Sequence, residues 1–246
     1  MFDEHIQLYG HNTPLIFGVI PAYAFFVGLG ILAGLTYYFI NLRRGGGVSE
    51  GAIKIVAAAL IFGMIGSKIP LLFEGRSWEQ ILLGKSIIGG LIGGAFGVIL
   101  IKKLFNIKQK LGNVIAPSIA LGMAVGRIGC FLNGCCYGIV ANWGVDFSDG
   151  HLRIPTQLFE IAFHSIAFGI LVYLQPKASR PGILFKSYLL AYFIFRFAIE
   201  FIRDNPTVWL GMSIYQIICI LGIIYLIIII WKGHKANGQE QPKSPE

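Results

Sequence analysis

Residues 114–133 of the chain read VIAPSIALGMAVGRIGCFLN, an apolar run of 20 residues with one charged side chain, Arg127. A helix rises 1.5 Å per residue, so a run of this length crosses a hydrocarbon core of ~30 Å. The run therefore predicts a membrane-spanning helix. The whole chain agrees, because 55% of its 246 residues are apolar and only 13% are charged. A soluble domain of this size cannot bury so much apolar surface, and a disordered chain is far less hydrophobic.

Six further stretches have the length and composition of membrane spans, so we predict an all-α integral membrane protein with seven transmembrane helices. The seven predicted spans are Leu15–Ile40, Ala52–Phe73, Gly84–Ile101, Val114–Asn133, Thr156–Leu174, Ile183–Ile202 and Trp209–Trp231. The third is short and rich in glycine, and either a full helix or a broken, re-entrant helix fits it. We expect residues 1–232 to form the transmembrane domain and residues 233–246 to form a polar, disordered tail.

The basic residues between the spans are distributed unevenly. One side of the membrane receives 11 lysines and arginines and the other side receives four. Cytoplasmic loops carry the excess of basic residues, so we predict an outer N-terminus and a cytoplasmic C-terminus. Topology accounts for most of the net charge of +8. We therefore expect a lipid bilayer around the protein and no nucleic-acid partner.

Three charged side chains within the predicted spans need a polar environment: Arg127, Arg196 and Glu200. A guanidinium at membrane depth costs at least ~2.5–3.5 kcal/mol on insertion scales. For Arg127, two interpretations are open. One is a buried ion pair with Glu160 or Glu200, and the other is a site for an anionic headgroup, because the arginine fork matches phosphate. Arg196 and Glu200 share a helical face with Arg203, and they form either a self-satisfied pair or a cationic wall that Glu200 orients.

Three of the four cysteines, Cys130, Cys135 and Cys136, follow closely on Arg127. Three uses are open for them. They are packing thiols, or they form a disulfide from Cys130 to Cys135 or Cys136 on the oxidising side of a bacterial membrane, or they supply a reactive thiolate next to Arg127. We expect no metal site, because no pair of cysteines or histidines with the usual zinc spacing completes a ligand set. No other cofactor is expected.

Several motifs resemble those of one known family. The stretch GRIGCFLNGCCYG at 126–138 resembles the signature of prolipoprotein diacylglyceryl transferase. The stretches SIIGGLIG at 86–93 and PTQLFE at 155–160 resemble that family's His-Gly-Gly-Leu-Ile-Gly and Pro-Ser-Gln-Leu-Tyr-Glu. FRFAIEFIR at 195–203 resembles its Arg-x-x-x-Glu-x-x-Arg, and LGMSIYQ at 210–216 resembles the start of its last helix. Seven spans in the predicted orientation are also the architecture of that family.

The resemblance implies an enzyme of a bacterial cytoplasmic (inner) membrane. The family moves a diacylglyceryl group from phosphatidylglycerol to the lipobox cysteine of a prolipoprotein and releases glycerol phosphate. For this chain, we expect phosphatidylglycerol or another anionic phospholipid as the lipid partner. By position, Arg127 binds the lipid phosphate, Arg196 is a second essential arginine, and Glu200 orients Arg196. The remaining matched positions are assigned to substrate binding: Tyr23, Asn133, Gly138, Gln157 and Arg203.

Three positions depart from the family's pattern. Ile88 stands where the family has the histidine implicated in activating the acceptor thiol, and no general base is assigned in its place. Cys130 stands where the family has asparagine, and Cys135 where it has glutamate. Two alternatives therefore remain open. One is a divergent transferase of the same fold with another acceptor or a cysteine-based mechanism, and the other is a non-catalytic phospholipid-binding membrane protein.

Overall fold

The computed structural model describes residues 14–16, 18–74 and 77–239 and consists mainly of helices. Over these residues the α-helices are α1 (Ala22–Arg44), α2 (Glu50–Gly66), α3 (Ile69–Leu72), α4 (Trp78–Leu83), α5 (Ile87–Leu104), α6 (Gly112–Leu132), α7 (Thr156–Leu174), α8 (Ile183–Ile199) and α9 (Ile214–Gln239). Single 3-10 turns, Gln175–Lys177 and Glu200–Ile202, extend α7 and α8. The N-terminal segment 1–13 and residues 240–246 of the predicted tail lie outside the described residues.

Six segments of the described chain are long and apolar enough to cross a membrane: Ala22–Arg44, Glu50–Leu72, Ile87–Leu104, Gly112–Leu132, Thr156–Lys177 and Ile214–Lys232. The predicted all-α integral membrane fold is therefore confirmed. The predicted sixth span corresponds to α8, whose 17 residues extend only about 25 Å. The glycine-rich third span forms the continuous helix α5, which is one of its two predicted forms.

Two predicted spans begin too early, because an apolar segment before each helix turns back on itself. Strand β1 (Leu15–Ile16) pairs antiparallel with β2 (Ile20–Pro21), and α1 begins only after this hairpin. Likewise β5 (Thr207–Trp209) pairs with β6 (Met212–Ser213) across a turn with positive φ angles, and α9 begins at Ile214. Hydropathy does not distinguish a short apolar hairpin from the first turns of a helix.

Glycines bring the helices into their closest contacts. In α1, a Cβ on Gly30 would lie 2.5 Å from the carbonyl oxygen of Gly122 in α6. In α2, a Cβ on Gly66 would lie 2.6 Å from the carbonyl oxygen of Gly89 in α5. Small residues allow such close backbone approach, which drives helix association where lipid is as apolar as the side chains. The α1–α6 contact places the start of α1 beside the C-terminal half of α6.

The long connection between α6 and α7 forms a hairpin, in which β3 (Val140–Asp146) pairs antiparallel with β4 (Leu152–Arg153). The side chain of Arg153 pairs with Asp149 in the turn and with Asp204 after α8, the latter at 2.9 Å. Burial raises the pKa of Asp149, but the hydrogen bond and the charge of Arg153 outweigh burial and hold that pKa below its usual range. The hairpin is thus tied to the chain beyond α8.

Candidate active site

Five charged side chains meet where α6 and α8 end and α7 begins. They are Arg127 on α6, Glu160 on α7, Arg196 on α8, and Glu200 and Arg203 just beyond α8. None of them is more than 9% exposed. Arg127 lies five residues before the end of α6, so its Cα is about 7.5 Å from the end of the helix. The site is therefore buried within the protein, near one end of the helix bundle.

Glu160 is the centre of this network and has no exposed surface. Its Oε2 pairs with Nη2 of Arg127. Its Oε1 accepts a hydrogen bond from Nη1 of Arg203 at 2.9 Å and one from Nη1 of Arg196 at 3.3 Å. One carboxylate therefore contacts three guanidinium groups. The ion pair between Arg127 and Glu160, one of the two interpretations left open by the sequence, is present.

Glu200 is the second acidic group of the network. Its Oε2 lies 2.7 Å from Nη2 of Arg196, so the predicted i,i+4 pair is present, and 3.9 Å from Nε of Arg203. Its Oε1 accepts hydrogen bonds from Nδ2 of Asn205 at 2.6 Å and from Oγ of Ser213 at 2.8 Å. Arg196 is therefore oriented by two carboxylates, as the cationic-wall interpretation requires of Glu200.

The network, as described, combines three guanidinium groups with two carboxylates, so it carries an excess of one positive charge. Nε of Arg127 is buried and has no hydrogen-bond partner among the described residues. Guanidinium donors held in a site of low dielectric stabilise an anion strongly, and arginine forms paired, charge-assisted hydrogen bonds with phosphate. The described network therefore leaves one positive charge without a carboxylate partner and one buried guanidinium donor without an acceptor.

Two of the predicted substrate-binding residues, Gln157 and Gly138, contact protein backbone near the network. Nε2 of Gln157 donates a hydrogen bond to the carbonyl oxygen of Cys135 at 2.8 Å. The backbone N–H of Gly138 donates to the carbonyl oxygen of Ile154 at 2.8 Å, and a Cβ there would lie 2.4 Å from the carbonyl oxygen of Ile202. Glycine is needed at this position because backbone occupies the space of any side chain.

Two further predicted substrate-binding residues, Tyr23 and Asn133, lie at the ends of helices. Tyr23, in the first turn of α1, is half-buried and within electrostatic range of Arg127 and of the three neighbouring thiols. Asn133 is the C-cap residue of α6 and is 3% exposed. Tyr23 is therefore close to the charged network, and Asn133 caps the helix that carries Arg127.

The three clustered cysteines come together beside the network. Their Sγ atoms all lie within 4.8 Å of one another, and all three are free thiols in the described structure. Cys130 is buried and accepts a hydrogen bond from Nη1 of Arg127 at 3.6 Å, Cys135 is half-buried, and Cys136 is exposed. The cluster is therefore continuous with the arginine site at Cys130, and Cys136 is its most exposed residue.

Ile88 is 1% exposed and belongs to the apolar core between α5, α8 and α9, with Leu189, Tyr192, Phe193, Tyr215, Cys219 and Leu226. An isoleucine packed in this way cannot transfer a proton. His164, one turn beyond Glu160, has no exposed surface, and its Nδ1 lies 2.9 Å from the hydroxyl of Tyr188. His151 is exposed in the β3–β4 hairpin. Ile88, which stands where the family has histidine, therefore cannot act as a base.

Three residues of the site are not among those assigned from the sequence: Glu160, Asn205 and Ser213. Glu160 is an acid inside an apolar span and ends the matched PTQLFE motif, and both features signal a site residue. Ser213 lies in the matched motif at 210–216, and Asn205 has no sequence signal that we recognise. Glu160 contacts the arginines directly, whereas Asn205 and Ser213 donate hydrogen bonds to Glu200, which in turn pairs with Arg196.

Comparison with known proteins agrees with the resemblance. A family model described as prolipoprotein diacylglyceryl transferase matches residues 15–232. A phosphatidylglycerol–prolipoprotein diacylglyceryl transferase of Dehalococcoides mccartyi is 30% identical over 233 residues, covering 86% of this chain and 87% of the relative. A second relative is phosphatidylglycerol–prolipoprotein diacylglyceryl transferase 2 of Clostridium perfringens. It is 31% identical over 253 residues, covering 92% of this chain and 97% of the relative. Because the match extends over nearly the whole described chain, this protein belongs to the prolipoprotein diacylglyceryl transferase family.

Proposed function

We propose that this protein transfers the diacylglyceryl group of phosphatidylglycerol to the lipobox cysteine of prolipoproteins at a bacterial cytoplasmic membrane. The names of its relatives contain this donor and this acceptor. The structural observation that carries the proposal is the buried network with an excess of one positive charge, in which Nε of Arg127 is unpartnered over the described residues. This is the environment that a lipid phosphate requires at membrane depth.

In the proposed reaction the sulfur of the acceptor thiolate attacks the glyceryl carbon that carries the phosphate. The bond between that carbon and the phosphate oxygen breaks, and glycerol phosphate leaves with the electron pair of the bond. Negative charge therefore grows on the phosphate, which we place beside Arg127 and Arg196. Donors that are already oriented stabilise such charge without the cost of reorganisation.

Glu160 and Glu200 act as positioning residues in this proposal. They contact the guanidinium groups and hold each one in a fixed direction. Without them, three buried cations would repel one another, and each would carry an uncompensated desolvation penalty. The two glutamates therefore allow three arginines to share one membrane-buried site.

The proposal is tested by expressing the chain in a bacterium depleted of its own transferase and measuring conversion of a prolipoprotein. We expect the unmutated chain to restore conversion. We expect Arg127→Ala to lower it by about 100-fold or more, as the loss of one preorganised donor commonly does. Arg44→Ala is a matched control, because Arg44 is exposed at the far end of α1.

Absence of conversion by an unmutated chain that is well expressed and inserted in the membrane would contradict the proposal. If that chain nevertheless bound phosphatidylglycerol vesicles through Arg127, the non-catalytic lipid-binding alternative would replace it.

A further inference from the structure

The three clustered thiols have no role in the proposed reaction and lie close enough together to share a metal ion. The Sγ atoms of Cys130, Cys135 and Cys136 all lie within 4.8 Å of one another. Three cysteine ligands on a tetrahedral zinc ion, with bonds of about 2.3 Å, are about 3.8 Å apart. A sulfur displacement of about 1 Å or less therefore completes the site. The Cys-x4-Cys-Cys spacing is not a usual zinc pattern, which is why the sequence alone predicted no metal.

An unusual backbone conformation places the thiols of the adjacent residues Cys135 and Cys136 on the same side of the chain, close to Cys130. Cys136 has φ +65°, in the left-handed region that non-glycine residues rarely adopt, and it follows Gly134 at φ +63°. Strained conformations of this kind persist only where neighbouring structure holds them, and they are concentrated at functional sites. This conformation allows the side chains of Cys135 and Cys136 both to face Cys130, which lies in the last turn of α6.

The first turn of α7 holds the cysteine loop in this shape. Oγ1 of Thr156 donates to the carbonyl oxygen of Cys136 at 2.7 Å, and Nε2 of Gln157 donates to that of Cys135 at 2.8 Å. Both donor residues are buried, with no exposed surface. The three thiols are thus positioned by the same helix that carries Glu160.

Arg127 lies beside the thiol cluster. Nη1 of Arg127 donates to Sγ of Cys130 at 3.6 Å, and the adjoining network has one positive charge in excess. Donors around ligand sulfurs tune a bound metal.

We propose that Cys130, Cys135 and Cys136 bind a thiophilic divalent cation, zinc first among them, and that its fourth position receives the thiol of the acceptor cysteine. This inference rests on the proposed transferase function. Catalytic zinc sites have three protein ligands and one open position. Cys136 is the exposed member of the cluster and Cys130 is its buried member. We place the approach of the incoming peptide on the side of Cys136.

Binding of the acceptor at this position supplies the deprotonation that Ile88 cannot. A thiol that coordinates a cation loses its proton, here to water. The sulfur electron pair then forms the new bond to the glyceryl carbon, and the carbon–oxygen bond to phosphate breaks as glycerol phosphate leaves. No oxidant or reductant is needed. Since Cys130 contacts Arg127 directly, the acceptor sulfur and the lipid phosphate are neighbours.

The metal is tested directly on the full-length protein, purified in detergent with a thiol-free reductant, loaded with zinc and desalted. We expect about one zinc ion per chain by elemental mass spectrometry, and sulfur-to-metal charge-transfer absorption when cobalt(II) replaces zinc. Cys130→Ala, Cys135→Ala and Cys136→Ala should each lose retained zinc. Cys219→Ala is the matched control, because Cys219 is buried in the apolar core away from the cluster. A reduced protein that retains no zinc overturns the inference, as does a disulfide within the cluster that persists in the active protein.

Activity measured on the same preparations separates this inference from the proposed function. We expect a chelator to lower prolipoprotein conversion by about 100-fold or more, the usual contribution of acid–base catalysis, and added zinc to restore it. Phosphatidylglycerol binding should survive the chelator and be lost in Arg127→Ala. Full conversion by the metal-free chain would overturn the zinc site and leave the transferase function standing. Zinc binding without any conversion would overturn the transferase function and the acceptor role together.

Discussion

At the scale of single residues, Glu160 has the largest influence on the site. Its carboxylate contacts three guanidinium groups and is itself fully buried. Removing one partner of a buried ion pair leaves the other as an uncompensated charge, which is why such changes are costly even where the intact pair adds little stability. Glu160 therefore matters both to stability and to the orientation of Arg127.

Glu160→Gln keeps the shape of the side chain and removes its charge. We expect it to destabilise the protein by about 3–5 kcal/mol, the usual effect of breaking a buried pair, and to lower prolipoprotein conversion strongly. Thermal unfolding in detergent and the conversion assay measure the two effects. Glu50→Gln is the matched control, because Glu50 is 81% exposed in an i,i+4 pair with Lys54, and it should behave like the unmutated chain. Equal melting temperatures for the two variants would show that the network is not needed for stability.

At the scale of elements, the packing of α1 on α6 connects Tyr23 to the arginine site. Gly30 and Gly34 of α1 face Gly122 and Ser118 of α6 with no room for a side chain on either glycine of α1. Gly129, near the end of α6, faces the backbone of Tyr23, since its Cβ would lie 3.3 Å from the Tyr23 Cα. The glycine contacts in the middle of the helices thus determine the position of a side chain at their end.

Gly30→Ala tests this connection. Its Cβ would lie 2.5 Å from a backbone oxygen, so the helices must separate, and we expect a loss of about 1–3 kcal/mol, as overpacking usually causes. Lower phosphatidylglycerol affinity should accompany the lower melting temperature, because Tyr23 moves away from Arg127. Gly28→Ala is the control on the same helix. A Cβ at Gly28 would have no atom within 4 Å, so this variant should leave the melting temperature and the phosphatidylglycerol affinity unchanged. A normal melting temperature for Gly30→Ala would argue against the close α1–α6 packing.

At the scale of the whole molecule, the helices bring both halves of the site to one end of the bundle. The end of α6, the start of α7 and the end of α8 carry the arginine network, and the β3–β4 hairpin and the cysteine loop adjoin it. The distribution of basic residues predicts that this end faces outward. The transferase site is then accessible to prolipoproteins after their export.

Labelling of single cysteines with a membrane-impermeant maleimide in intact cells tests this orientation. In a chain whose four native cysteines are replaced by alanine, we expect Asp149→Cys, in the hairpin, to be labelled. We expect Lys108→Cys, exposed in the loop after α5, to be labelled only after the membrane is permeabilised. The reverse pattern would place the site on the cytoplasmic side. The assay reports topology alone and does not require zinc or activity.

Features that depend on local pattern are predictable from the order of residues alone. Long apolar runs predicted the helices, because the bilayer sets their length and composition. The i,i+4 spacing predicted the pair of Arg196 with Glu200, because helical periodicity brings these positions together. The family motifs marked Arg127 and the segments that line the site.

Contacts between residues far apart in the chain depend on how the helices pack. Glu160 contacts Arg196 and Arg203, which lie 36 and 43 positions further along the chain, and no local pattern predicts that one carboxylate serves three arginines. The hairpins before α1 and α9 resemble helix ends in hydropathy and differ only through backbone pairing. The three thiols converge because Cys136 adopts a left-handed conformation that the first turn of α7 holds by hydrogen bonds. In each case contacts between elements, rather than residue type or periodicity, determine the arrangement.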